Sequence, residues 1–149
     1  MREFLQIEDA VISSLSSISG LRTIDAYSGQ LDVDDLEELT LQFPCIYVTA
    51  NDLDIKAVNR YDNLTVEFSL IVGDKNIRGA KAAARGDGSS PGVYELLHQS
   101  RCALHRRVLV AGWTPAALLK ARPLVYAPKH SICLYEANYR MQAQKLPNT

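Results

Sequence analysis

Between Leu64 and Val72 the chain alternates without interruption. Leu64, Val66, Phe68, Leu70 and Val72 fall on one side, and Thr65, Glu67, Ser69 and Ile71 on the other. Only an extended strand has a period of two, and one apolar face opposite a mostly polar one describes a sheet covered on a single side. Whatever else the chain forms, it must lay an apolar layer against that face. Two segments of helical period can do so. Phe4, Ile7, Val11, Leu15 and Ile18 make one stripe over residues 4–18, flanked by Leu5 and Ile12, with Gly20 where a C-terminal cap belongs. Pro91 opens the second, in which Val93, Leu96, Leu97, Ser100, Ala103 and Leu104 share a face.

The other extended segments are shorter or less regular. Leu21–Tyr27 reads as a short strand before Ser28-Gly29, and the acidic run Asp32–Glu38 as a short helix or turn that ends before Pro44. Cys45–Ala50 is rich in β-formers, Asn51–Asp62 reads as a polar connection, and Ala117–Tyr126 and Ser131–Gln144 make a last pair of strands around Pro128-Lys129. The expected order is helix, three strands, helix, two strands. Strands in blocks, rather than strict strand–helix alternation, predict an α+β two-layer sandwich: a mostly antiparallel sheet of about five strands with two helices on one face. Such a fold is unlike a nucleotide-binding doubly wound sheet. At 149 residues the chain is the size of one domain, so 1–149 is expected to be a single unit.

Charge is distributed unevenly. The formal net charge of −1 conceals 14 acidic and 4 basic side chains in residues 1–74 against 3 and 12 in residues 75–149. The negative part concentrates at Asp32, Asp34, Asp35, Glu37 and Glu38. The positive part lies in the glycine-rich stretch at about 75–92, with Arg78, Lys81 and Arg85, and on the second helix with Arg101, Arg106 and Arg107. Glycines at 79, 86, 88 and 92 make the 75–92 stretch read as a mobile basic arm, ordered only on assembly. No window approaches the roughly 18 consecutive apolar residues of a membrane span, and a basic-then-apolar secretion signal is absent from the N-terminus, so no membrane partner is expected. Cys45, Cys102 and Cys133 are odd in number and widely spaced, which fits a reducing cytoplasm better than a disulfide framework.

Few residues suggest chemistry. His98, Cys102 and His105 stand at i, i+4 and i+7 on one helical face, where imidazole and thiolate donors could converge on zinc with Cys133 or His130 as a fourth ligand. No short-spaced ligand pair recurs elsewhere, so an exposed or subunit-facing helix surface is the favoured reading and no metal or other cofactor is expected. Cys102 beside His105 lacks an orienting third group, so a thiol enzyme is not supported. The glycines match neither GxxxxGK[ST] nor GxGxxG, and Gly86-Asp87-Gly88 puts a carboxylate where an anion would sit. Asp32, Asp34 and Asp35 lack the glycine and terminal glutamate of a calcium loop. The basic stretch could instead engage phosphates, making a small nucleic-acid-binding module the alternative function, although no aromatic is interleaved for base stacking.

Several segments together resemble the small tail-terminator proteins of Mu-like contractile-tailed bacteriophages and prophages. They are IEDAVISSL, DAYSGQLD, FPCIYVTA, VEFSLIVGDKNIRGAKAAARG and PGVYELLHQSRCAL, in that order, and the resemblance runs from about Ile7 to Leu124. It implies a non-enzymatic structural protein that caps the tail tube as a hexameric ring, stops its polymerisation and offers a surface for head-neck attachment. The implied partners are further copies of the chain, the tail tube protein and a head-neck connector protein, with non-specific DNA contact in the lumen. The implied locations are the bacterial host cytoplasm during assembly and then the virion tail. A ring needs one patch to meet a different patch on its neighbour, and the separated charges offer such a pair.

Overall fold

The computed structural model describes residues 2–127 and 131–148, with the side chains at 36, 37 and 125–127 outside that description. The chain runs α1 (Arg2–Leu15), β1 (Thr23–Ala26), α2 (Leu36–Thr40), β2 (Cys45–Val58), β3 (Tyr61–Lys75), α3 (Ala80–Arg85), α4 (Val93–Leu104), β4 (Ala117–Ala127) and β5 (Ile132–Lys145). The five strands form one sheet in the order β1-β2-β3-β5-β4. Only β1 and β2 run parallel. This is the α+β arrangement that the patterning predicts.

The central run of β3 presents Leu64, Val66, Phe68, Leu70 and Val72 to the main core, all at most 5% exposed. Ile7, Val11 and Leu15 of α1 and Val93, Leu96 and Leu104 of α4 cover them, joined by Ala83 and Ala84 of α3. Phe68 stacks on its cross-strand neighbour Tyr139 with ring centroids 5.1 Å apart. The opposite face is covered only at one end. There Leu31 and Leu39 pack against Phe43, Cys45, Tyr47 and Ile132, so α2 and the acidic loop lie across the sheet from the other helices. Beyond that cluster the face is polar and open, with Ser69 bonded to Asn51 (2.6 Å) and Asn138 (2.5 Å), and Arg140 paired to Glu67 (2.9 Å).

Three expectations change. The first helix stops at Leu15 rather than Ile18, because its serines bond to the preceding turn instead of extending it. Ser14 donates to the Ala10 carbonyl (2.9 Å) and Ser16 to that of Ser13 (2.6 Å). Residues 51–62 are not a polar connection but the outer arm of a long hairpin, closed by Asn59-Arg60 with Asn59 in the left-handed region at φ 56°. A register shift between Ala50 and Asp52 moves the core-facing set from even positions (Ile46, Val48, Ala50) to odd ones (Leu53, Ile55, Ala57), which hides the continuity of the pattern.

The third change is residues 75–92, expected as an arm. They do not protrude. Ala83 and Ala84 are buried, and the ends of the segment are tied together. The Gly92 N–H donates to the buried Asp74 carboxylate (2.9 Å). The Asn76 amide donates to Asp87 (2.9 Å) and Ser90 (3.0 Å), and Asp87 also accepts from the Ser89 hydroxyl (2.7 Å). The glycines close this clasp rather than loosen it. A Cβ on Gly92, at φ +83°, would sit 2.3 Å from the Gly86 nitrogen, and one on Gly86 would sit 2.2 Å from the Pro91 carbonyl oxygen. The turn expected at Pro128-Lys129 and the candidate ligand His130 lie outside the described residues.

Candidate assembly surface

Strand order decides where the two charged halves of the sequence go. Residues 1–74 carry β1, β2 and nearly all of β3, while residues 75–149 carry β5, β4, α3 and α4. With the order β1-β2-β3-β5-β4, the acidic half forms one side of the sheet and the basic half the other. The strands of the two halves therefore meet at the β3–β5 junction, which the other elements overlap: α3 and α4 pack on both β3 and β5, and the acidic loop reaches Ile132 and Leu134 of β5.

On the acidic side, Asp32, Asp34, Asp35 and Glu38 are exposed on the loop around α2, and the side chain of Glu37 lies outside the described residues. Leu31 and Leu39 anchor that loop to Tyr47, whose ring meets Tyr27 at 5.6 Å. Burial, reinforced by Asp32, pushes the Tyr27 hydroxyl above its ordinary pKa. Asp52 and Asp54 extend the acidic side along β2.

On the basic side, α3 buries Ala83 and Ala84 and leaves Lys81 and Arg85, one helical turn apart, exposed together. Arg78 is 73% exposed and pairs with Asp87 at 3.6 Å. Such an exposed pair, screened by solvent, adds little stability and leaves the guanidinium available. The bonds from the Ser89 hydroxyl and the Asn76 amide hold the Asp87 carboxyl well below the usual carboxylate range, while burial pushes that of Asp74 up. Arg101 borders a cleft of about 220 Å³ lined by Leu97, His98, Leu118, Ala121 and Tyr139. Arg106, in the left-handed region at φ 61°, is exposed while its N–H donates to the Ala116 carbonyl (2.7 Å). Lys120 and Arg122 continue the basic side along β4.

The candidate metal face does not converge. Cys102 and His98 approach each other at 3.7 Å, but His105 has left the helix axis as its C-cap, and its Nδ1 accepts the Leu118 N–H (2.9 Å). Cys133 lies in the core, where burial raises its thiol to about 11. Among the described residues no group of three or more His, Cys, Asp or Glu side chains is placed to hold a metal ion. The long free edge of β2 escaped the sequence reading, although Leu53, Ile55 and Ala57 alternating with Asp54 and Lys56 carried its signal.

Residues 3–143 match the protein family described as Bacteriophage Mu, Gp37. No curated protein sequence matches the chain. Among solved structures, the fold is similar to a chain of one described as "Virion of native gene transfer agent (GTA) particle", with a TM-score of 0.56 at 14% identity over 96% of each chain. Among the described residues no helix is long and apolar enough to cross a membrane.

Proposed function

The chain belongs to the Bacteriophage Mu Gp37 family, and from that premise we propose that it is a non-enzymatic structural protein that caps the tail tube. It forms a ring, of six copies as the resemblance to tail terminators implies, stops tube polymerisation and presents a surface to the head-neck connector. Assembly takes place in the host cytoplasm, and the protein ends in the virion tail.

One observation carries the reading: the strands of the acidic half and those of the basic half take opposite sides of a single sheet. A ring is built from heterologous contacts, in which each subunit offers two different patches to its two neighbours. Opposite charge on those patches steers encounter and penalises like-with-like association. In this arrangement Asp32, Asp34, Asp35 and Glu38 face one neighbour. Arg101 and Arg106 face the other, and Arg78, Lys81 and Arg85 supply positive charge toward the contact or the lumen, where DNA passes. The near-neutral total is then the sum of two complementary surfaces.

Growth of tail tubes from purified tube protein tests the function. Adding this chain should arrest elongation and leave it bound at one tube end. Tubes that lengthen at an unchanged rate, with the chain absent from their ends, would refute capping.

A further inference from the structure

Among the described residues the sheet leaves an open stretch at each edge. β1 covers β2 only along Cys45–Val48, and the Glu8 carboxylate accepts the next outward N–H, that of Ala50 (3.3 Å). From Asn51 to Val58 the outer backbone groups of β2 meet no other strand among the described residues. At the far side of the sheet, the N–H of Leu118 in β4 is taken by His105, and Leu119–Leu124 are exposed along the outside. Each edge also exposes apolar side chains, Ile55 and Val58 on β2 and Leu119 and Leu124 on β4, between 39% and 52% accessible. Open edges of this kind are rows of unpaired donors and acceptors that accept another strand.

We propose that these two edges pair with each other between copies of the chain, β4 of one subunit adding to the Asn51–Val58 stretch of β2 on the next. The proposal rests on the ring reading above and names the contact that closes the ring. Three features support it. First, β2, β3, β5 and β4 each run antiparallel to their neighbour, so β4 runs opposite to β2 and a sheet continued around a ring joins them antiparallel. Second, charge matches on the same face. Asp52 and Asp54 lie in the cross-strand rows of Glu67 and Thr65, and Lys120 and Arg122 in those of Asn138 and Glu136, all on the open polar face. An antiparallel register that sets Arg122 opposite Asp52 also sets Lys120 opposite Asp54, and opposite charges across a strand pair are favourable. Third, β1 blocks a flush junction at Cys45–Val48, and this register displaces the incoming strand toward the Asn59-Arg60 turn, setting Ala117–Pro123 opposite Ala57–Asn51. Pairing β4 with β4 would oppose basic edges. Pro123, which has no N–H to offer, and the register shifts at Leu118/Lys120 and Pro123/Val125 further restrict the partners that β4 accepts.

The test is cysteine cross-linking of the full chain carrying Asp54→Cys and Lys120→Cys on a Cys102→Ser background, since Cys102 is the exposed native thiol. It is run on concentrated protein and on tails assembled with it. Oxidation should give a ladder of covalent multimers from the pair and none from either cysteine alone. Asp52→Lys with Asp54→Lys should weaken association about tenfold, and adding Lys120→Glu with Arg122→Glu should restore it, which separates a lost contact from a lost fold. Multimers without a ladder would overturn the edge pairing and leave the ring. A chain that is monomeric in solution and on tails would overturn both.

Discussion

Replacing Gly92 by alanine tests whether residues 75–92 are a folded clasp. Gly92 has φ 83° and ψ 150°, a region occupied almost only by glycine, and forcing another residue into it costs about 1–3 kcal/mol. The added Cβ would also lie 2.3 Å from the Gly86 nitrogen and 2.7 Å from the Arg85 carbonyl carbon, backbone atoms that cannot swing aside. Relieving the clash must move Gly92 and stretch the bond from its N–H to the Asp74 carboxylate, a hydrogen bond to a charged group worth about 1.5–3 kcal/mol. Together these predict a loss of roughly 3–5 kcal/mol, a large part of the ~5–15 kcal/mol of an ordinary domain. With a urea slope near 1.5 kcal/mol/M, the unfolding midpoint falls by about 2–3 M. Gly88→Ala is the control: no atom lies within 4 Å of its Cβ and its φ is not positive, so its midpoint should move by less than about 0.5 kcal/mol equivalent. Equilibrium urea unfolding followed by circular dichroism, with limited proteolysis of the folded proteins, reads both. If Gly92→Ala unfolded at the same midpoint as Gly88→Ala, the segment would be the arm its composition suggests and the clasp would be wrong.

Other outcomes follow from the same structure. Because the Asp87 carboxyl is held well below its unfolded value, its contribution is present above the ordinary carboxylate pKa and is lost as pH falls through the lowered one. Asp87→Asn should therefore flatten the acid limb of a stability–pH curve, and an unchanged limb would refute that role. Leu96→Ala empties a fully buried site beneath α4 and should cost about 2–5 kcal/mol by denaturant titration, whereas His98→Ala on the exposed face should cost less than about 0.5. Protein purified without a histidine tag should contain no stoichiometric zinc by elemental analysis; zinc at one per chain would revive the His98 and Cys102 site. Duplex DNA should not be retarded by the isolated chain at low salt, and retardation that falls steeply with added salt would instead favour the nucleic-acid-binding alternative.

Much of the fold is legible where burial is one-sided. The β3 alternation and the α4 stripe appear in the structure almost residue for residue, because each element buries a single face and its period survives in the sequence. The β2 extension was hidden because Asn51 bulges and reverses the parity of the pattern, and because an open edge strand carries charges that read as loop. The 75–92 segment is hard to read for a related reason: glycine is the mark of a flexible chain and equally of two backbones in contact, and only the placement of Gly86 against Gly92 separates the two. The charge asymmetry was plain in composition, but its meaning depended on strand order. An interleaved sheet would mix the strands of the two halves, whereas β1-β2-β3-β5-β4 keeps them apart.

The central claim is that this protein ends the tail, and the most direct measurement is the length distribution of tails in particles assembled without it, by electron microscopy. The account predicts overlong tubes of variable length, restored to one length by the wild-type chain. Tails of normal, uniform length in its absence would contradict it.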